Sequence, residues 1–167
     1  MKNIVFPTLI MTFCNLAYGV PPDESLVKSC LLARAYVPSV TVLTLNPHEI
    51  SQEDNYADGF NATYIFKYNG VDVGYAESKS NHALIYLNRI YKISTALPVG
   101  DNHKIKPSEF DPTLAQWSIA KKNREKFFCV RFNFDGLGQS GNFQNVVGGY
   151  LINTRTKEIF FAVRKVK

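Results

Sequence analysis

Apolar residues follow helical spacing near the start of the chain. Over residues 25–36 they recur at intervals of three and four, at Leu26, Val27, Cys30 and Leu31. This spacing predicts an amphipathic helix that begins near Asp23 and has a cysteine on its apolar face. Pro38 ends the helix, and the β-branched run at 40–45 predicts a strand.

The middle of the chain predicts a loop followed by strands. Residues 46–59 are polar and acidic, so they are predicted to form a loop. The dipeptide Asn69-Gly70 separates β-rich runs at 61–68 and 71–76. Because both central positions of a tight hairpin turn need positive φ, it predicts a β-hairpin. Residues 82–93 fit a helix or a strand, and their aromatic and β-branched content favours a strand.

A second helix is predicted over residues 113–126. Asp111 supplies the cap and Pro112 the first turn. Basic residues crowd the last turn, where cations complement the helix dipole. The inward stripe consists of Leu114, Trp117 and Ala120.

The C-terminal third shows the two-residue period of strands. Phe128, Val130, Phe132 and Phe134 alternate with polar residues and with Cys129. This alternation places the aromatic residues on one sheet face and the cysteine on the other. Further strands are predicted at 146–152 and 159–166, which gives a three-stranded antiparallel meander.

Together these elements predict an α+β domain. It has an antiparallel sheet that ends in the meander, two packed helices and one disulfide. A helix packed on a curved sheet is similar to the cystatin-like and NTF2-like folds, so the pattern favours that architecture.

The first 19 residues predict export. Lys2 precedes a short apolar run that ends at Ala17-Tyr18-Gly19, with small residues two positions apart as signal peptidase requires. We therefore expect cleavage after Gly19, a single domain over residues 20–167, and a secreted or periplasmic location. An uncleaved anchor is the alternative, but a bilayer span needs about 20 apolar residues. This run is shorter, and Pro7 interrupts it. No later apolar run is long enough to cross a membrane.

Cysteine usage agrees with export. Cys14 lies in the leader, which leaves Cys30 and Cys129 as an even pair. In an oxidising compartment this pair predicts a disulfide, with two buried free thiols as the alternative. The bond would tie the first helix across the sheet face opposite the phenylalanines.

Composition and charge narrow the function only slightly. The chain is 46% hydrophobic and 20% charged, which is typical of a folded protein. Its formal net charge of +5 favours an acidic partner or an anionic surface, although a solvated basic face is the more common meaning. No nucleic-acid partner is predicted, and the oligomeric state stays open.

No metal, cofactor or catalytic motif stands out. His48, His82 and His103 lack a second ligand at metal-binding spacing, and residues 54–59 lack the ligand order of a calcium loop. An acid–base site needs only two groups within hydrogen-bond reach. Such a site could be assembled from His82 or His103, Glu77 or Asp101, and Arg131.

The glycine-rich stretch at 135–142 is the strongest candidate for binding. Three glycines in six residues allow backbone shapes that present amide groups to a ligand. The stretch does not precede a helix, so a phosphate loop is excluded. A long flexible hairpin connection is the alternative. The predicted binding residues are Gly136, Gly138, Gln139, Ser140, Gly141 and Asn142.

A short element after this stretch resembles one found in cystatins. Gln144-Asn145-Val146-Val147-Gly148 matches the Gln-x-Val-x-Gly segment that cystatins insert into cysteine-protease clefts. The resemblance covers these five residues, lies close to the C-terminus and lacks the later Pro-Trp hairpin tip. It therefore assigns no family.

Three functional hypotheses follow. The first is a non-enzymatic secreted or periplasmic binding protein, an inhibitor or immunity protein that blocks a partner protein. The second is a small secreted, metal-independent hydrolase that uses histidine and carboxylate groups. The third is an envelope-associated structural protein that touches anionic surfaces through Lys121, Lys122, Arg164, Lys165 and Lys167.

Overall fold

A computed structural model describes residues 20–54, 56–100, 105–133 and 146–165. These residues contain one α-helix, eleven strands and a short 3-10 turn at Ile93–Thr95, joined by turns and loops. The elements are α1 (Glu24–Leu32), β1 (Thr41–Leu45), β2 (Ser51–Glu53), β3 (Ala62–Tyr68), β4 (Val71–Glu77), β5 (His82–Tyr86), β6 (Arg89–Lys92), β7 (Leu97–Pro98), β8 (Gln116–Lys122), β9 (Glu125–Asn133), β10 (Val146–Asn153) and β11 (Ile159–Lys165).

The strands form two sheets that pack face to face. The first sheet has the order β1-β8-β9-β10-β11-β7, and the second has the order β2-β3-β4-β5-β6. Neighbouring strands are antiparallel, except that β7 runs parallel to β11. α1 packs on the outer face of the first sheet. The architecture is therefore a β-sandwich with one helix on its outside.

Aromatic side chains fill the space between the sheets. Tyr86 of the second sheet stacks on Phe128 of the first, with ring centroids 4.3 Å apart. Phe66 meets Trp117 edge to face at 5.4 Å. Such pairs contribute beyond the area they bury, so they hold the two sheets together.

The outer face of the first sheet is held by α1 and a disulfide. Cys30 and Cys129 are bonded, which confirms the predicted pairing, and their Cα atoms lie 5.4 Å apart. Asp23 caps the helix by accepting a hydrogen bond from the Ser25 amide at 2.9 Å. The helix ends at Leu32 rather than Tyr36, because Ala33 adopts the left-handed conformation that closes a helix.

Two other predictions are confirmed. Asn69 and Gly70 have φ of 50° and 77°, and they turn β3 into β4 as a hairpin. β9, β10 and β11 form the predicted antiparallel meander. Cys129 lies on its helix-facing side, whereas Phe128 and Phe132 face the other sheet.

The predicted α+β fold with two packed helices is wrong, because the described residues are mostly strand and contain one α-helix. Residues 113–126 form strand β8, a turn at Asn123 and the start of β9. β8 is buried on both faces, with Trp117 and Ile119 toward the second sheet and Ala120 toward α1. A strand covered on both sides loses its alternation and can be mistaken for a helix. The predicted cystatin-like or NTF2-like architecture is therefore wrong as well.

Smaller differences between the predicted and the observed elements occur elsewhere in the chain. The predicted loop at 46–59 contains β2. Residues 82–93 form two strands rather than one, because Leu87 and Asn88 both have positive φ and make a tight turn. Val146, Val147 and Gly148 of the cystatin-like element lie inside β10, where Val147 is buried. That placement does not suit a projecting inhibitory loop.

Candidate functional site

A cleft of about 650 Å³ opens at one end of the sandwich. Three segments line it: residues 80–82 before and at the start of β5, residues 93–94 after β6, and residues 106–109 before β8. These segments come from distant parts of the sequence. The topology alone brings them together.

Residues 105–111, here called the strap, cross the end of the inter-sheet core. Phe110 anchors the strap by stacking on Phe132 at 4.7 Å, and it contacts Tyr75 at 4.6 Å. The Tyr150 hydroxyl donates a hydrogen bond to the Ser108 carbonyl at 2.6 Å. Both sheets therefore hold the strap.

His82 joins the strap to the second sheet. Its Nε2 lies 2.9 Å from Oε1 of Glu109, and its Nδ1 lies 2.7 Å from the Tyr75 hydroxyl. When Nε2 carries the proton and donates to Glu109, Nδ1 accepts the hydrogen of the phenol. Both ring nitrogens are then engaged inside the protein.

His82, Glu109 and Tyr75 are here called the triad. The tyrosines in and next to the triad are held in the neutral state. Burial raises the pKa of Tyr75, and the nearby Glu109 and Glu77 carboxylates raise it further. Burial also raises the pKa of Tyr150 and of Tyr64, whose hydroxyl donates to Glu77 at 3.2 Å. These phenols act as hydrogen-bond donors and not as bases.

The structure brings together only part of the acid–base set that the sequence suggested. Glu77 is the cross-strand neighbour of His82, but the carboxylate that contacts the imidazole belongs to Glu109. Arg131 lies on the helix side of the first sheet, where its Nε donates to the Leu31 carbonyl at 2.8 Å. It therefore has no part in the cleft.

The remaining candidates lie outside the described residues. These are His103, Asp101 and the predicted binding residues Gly136, Gly138, Gln139, Ser140, Gly141 and Asn142. β9 ends at Asn133, and β10 begins at Val146. Phe132 stacks on Phe110, so these two strand ends lie at the same end of the sandwich as the strap.

Sequence reasoning missed Glu109 and Tyr75. Glu109 lies in a polar stretch between two predicted elements, and Tyr75 lies in the predicted strand at 71–76. Neither position carries a motif. Their meeting with His82 depends on strand register and on the anchoring of the strap.

Within the described ranges, no cluster of three His, Cys, Asp or Glu side chains could hold a metal ion. Of the basic residues considered for surface binding, Lys122 is occupied by Asp23, with Nζ and Oδ1 2.9 Å apart. None of the helices in the described part of the chain is long and apolar enough to span a bilayer.

The chain matches no family model, no curated protein and no solved structure. Function must therefore be argued from the cleft and the strap themselves.

Proposed function

We propose that this is an exported, non-enzymatic binding protein that blocks a partner protein, in the manner of an inhibitor or immunity protein. The binding surface is the end of the sandwich that carries the strap. The observation behind this proposal is that His82, Glu109 and Tyr75 bind one another and thereby fix the strap.

The hydrogen bonds of the triad favour a positioning role. A general base must reach the proton that it removes from a substrate. Here both nitrogens of His82 already have partners, and the Tyr75 side chain is fully buried. The groups that resemble a catalytic set are therefore used to hold the strap against the sandwich.

A fixed strap suits recognition of a protein. Binding costs less free energy when the contacting segment is already held in its bound shape. The cleft beside the strap offers the exposed polar residues Lys106, Ser94 and Asn81. The basic character of the chain favours an acidic surface on the partner.

The buried disulfide is compatible with the exported setting of the proposal. Such bonds persist in secreted and periplasmic proteins and are rare in reducing compartments. Cleavage after Gly19 remains a prediction. An N-terminal sequence of the purified protein that begins at Val20 would support it.

Cross-linking from Lys106 tests the binding surface. The mature protein is incubated with the extracellular or periplasmic fraction of its source, and lysine-reactive cross-links are mapped by mass spectrometry. We expect one partner protein cross-linked at Lys106, and we expect Lys106→Glu to lose the complex. Lys121→Glu is the matched control, because Lys121 is also exposed but lies at the far end of β8. Equal recovery with both variants, or no partner with the wild type, would reject the proposal.

One observation favours the metal-independent hydrolase as a second candidate. The His82 imidazole and the Glu109 carboxylate border a cleft, and the Glu109 side chain is 71% exposed, so it could turn toward a bound substrate. Replacing His82 by Gln removes the proton-transfer group but keeps hydrogen-bonding capacity. If a hydrolytic activity is found, its persistence in His82→Gln would eliminate this mechanism.

A further inference from the structure

The fold does not explain the basic cluster at residues 121–126. Sequence reasoning assigned these cations to the last turn of a helix, where they would complement its dipole. They belong instead to the end of β8, a turn at Asn123 and the start of β9, and strands have only small net dipoles. Lys121 and Lys126 lie directly opposite each other across this strand pair. Like charges in that position destabilise a sheet, so their presence needs a cause outside it.

A second basic turn lies next to this hairpin. The amide of Thr154, in the turn between β10 and β11, donates to the Lys126 carbonyl at 3.0 Å. Residues 121–126 and 153–158 together hold six cations and two glutamates. The two hairpin turns therefore concentrate positive charge at one end of the first sheet.

Four cations of these turns have no counter-ion. Lys122 pairs with Asp23, and Lys157 donates to a carbonyl of its own turn. Of the two glutamates, Glu125 lies opposite Lys122, and Glu158 accepts from a threonine hydroxyl in its own turn at 2.7 Å. The remaining cations are exposed and form no ion pair within the described part of the chain. They are here called the basic patch and are Lys121, Arg124, Lys126 and Arg155.

An exposed leucine lies at the same end of the sandwich. Leu87 is 40% exposed in the turn between β5 and β6. Tyr86, just before it, stacks on Phe128, which is two positions after Lys126. Leu87 has a φ of 53°, a conformation that asparagine and glycine adopt easily and leucine does not. Neither burial nor turn geometry therefore explains a leucine here.

We propose that this end of the sandwich docks on an anionic phospholipid bilayer, with the basic patch at the headgroup phosphates and Leu87 inserted at the boundary with the acyl chains. Reversible membrane binding strengthens with the apolar area that is buried and with electrostatic attraction to anionic lipids. Arg89, which is exposed two positions after Leu87, adds a further cation. The strap lies at the opposite end, so the inference is independent of the partner protein proposed above.

A bilayer fits these features better than a nucleic acid. The basic patch and Leu87 lie on three different turns, which are the outermost points of this end, so a planar surface reaches all of them together. Proteins that bind single-stranded nucleic acids stack the bases on aromatic side chains. Residues 87–90, 121–126 and 153–158 contain no aromatic residue.

Vesicle co-sedimentation tests the electrostatic part. We expect the mature protein to bind vesicles of mixed phosphatidylglycerol and phosphatidylcholine but not vesicles of phosphatidylcholine alone, and we expect salt to weaken the binding. Lys121→Gln/Lys126→Gln should reduce binding by at least about tenfold, because two cations near the surface are lost. Lys79→Gln/Lys165→Gln is the matched control. It removes the same charge from exposed positions at the strap end and should bind like the wild type.

Leu87→Asn separates membrane insertion from folding. Asparagine tolerates positive φ, so thermal unfolding followed by circular dichroism should show no loss of stability. Binding of the variant to the anionic vesicles should nevertheless fall by about tenfold, because the inserted apolar side chain is lost.

Four results would overturn the proposal. They are a wild-type protein that does not bind the anionic vesicles, equal binding to both kinds of vesicle, equal binding by the two double variants, and unchanged binding by Leu87→Asn. A protein that retains a single-stranded oligonucleotide but not the vesicles would show that the basic patch serves a nucleic acid instead.

Discussion

The two faces of the first sheet are held by different forces. The face toward the second sheet is covered by an aromatic cluster that includes Trp117, Phe128 and Tyr150. The face toward α1 has mostly aliphatic contacts, one aromatic pair and the disulfide. β9 serves both faces, because Phe128 points to one and Cys129 to the other.

The difference between the two faces explains why the disulfide lies on the face toward α1. A second sheet presents a wide apolar surface, whereas α1 has nine residues. Isolated helices shorter than about 12 to 15 residues are marginal in water, so α1 depends on contacts outside itself. The disulfide and the cap at Asp23 supply two such contacts. Three changes of decreasing effect test this division.

Removing the disulfide should have the largest effect. The bond joins residues 99 positions apart, and closing a loop of about 100 residues stabilises the folded state by about 5 kcal/mol on the chain-entropy model. We expect Cys30→Ala/Cys129→Ala to lose that much free energy of unfolding in urea. Hydrogen exchange should show loss of protection in α1 before the amides of β9 and β10.

The single variants serve as controls. Cys30→Ala and Cys129→Ala each break the same bond, so each should be destabilised nearly as much as the double variant. Effects that add up across the two sites would show that the lost packing matters more than the cross-link. Equal loss of protection in α1 and in the central strands would contradict the distinction between the two faces.

Truncating Phe128 tests the aromatic face. The ring is fully buried and stacks on Tyr86 of the second sheet. We expect Phe128→Ala to reduce the free energy of unfolding by about 4 kcal/mol, since it removes a large buried side chain and leaves a cavity. Urea denaturation measures this loss.

Phe128→Leu is the matched control for that variant. It keeps most of the volume and should cost less than about 1.5 kcal/mol. If the aromatic face acts as one unit, protection against hydrogen exchange should fall together in both sheets of Phe128→Ala. A loss of less than about 1 kcal/mol for Phe128→Ala would show that this face is not the main support of the sandwich.

The sequence predicts elements well where one physical signal dominates. Asn69-Gly70 specifies a hairpin through its backbone preference, and the alternation around Cys129 places the disulfide on the correct face. β8 was mistaken for a helix because both of its faces are buried. The local signal at Asp111 was real, since its side chain accepts from the Thr113 amide at 2.8 Å, but it caps a turn without a following helix.

The candidate site was much less accessible to sequence reasoning. His82 was singled out, and the cleft does form around it. The sequence does not indicate its carboxylate partner, because Glu109 is 27 positions away and reaches His82 through the anchoring of the strap at Phe110 and Ser108. Contacts between distant segments depend on the packing of two sheets, and no spacing rule encodes them.

The smallest change concerns the charge of the helix cap. A hydrogen bond from Ser25 and the ammonium of Lys122 lower the pKa of Asp23 from 3.8 to about 2. Because the folded pKa is the lower one, the ionised carboxylate stabilises the protein above pH 4. That contribution is lost as the pH falls from 4 toward 2. The side chain is 41% exposed, so solvent screens part of the effect.

Asp23→Asn isolates this charge, because asparagine caps a helix about as well as aspartate. At pH 6 we expect the variant to lose less than about 1 kcal/mol of unfolding free energy, the usual size of a charge at a helix N-terminus. The difference from the wild type should shrink as the pH falls from 4 to 2, because Asp23 is protonated in about half of the folded molecules at pH 2. Asp23→Ala, which also loses the cap, should remain the less stable variant at both pH values. A difference between wild type and Asp23→Asn that is as large at pH 2 as at pH 6 would mean that packing of the side chain, and not its charge, supports α1.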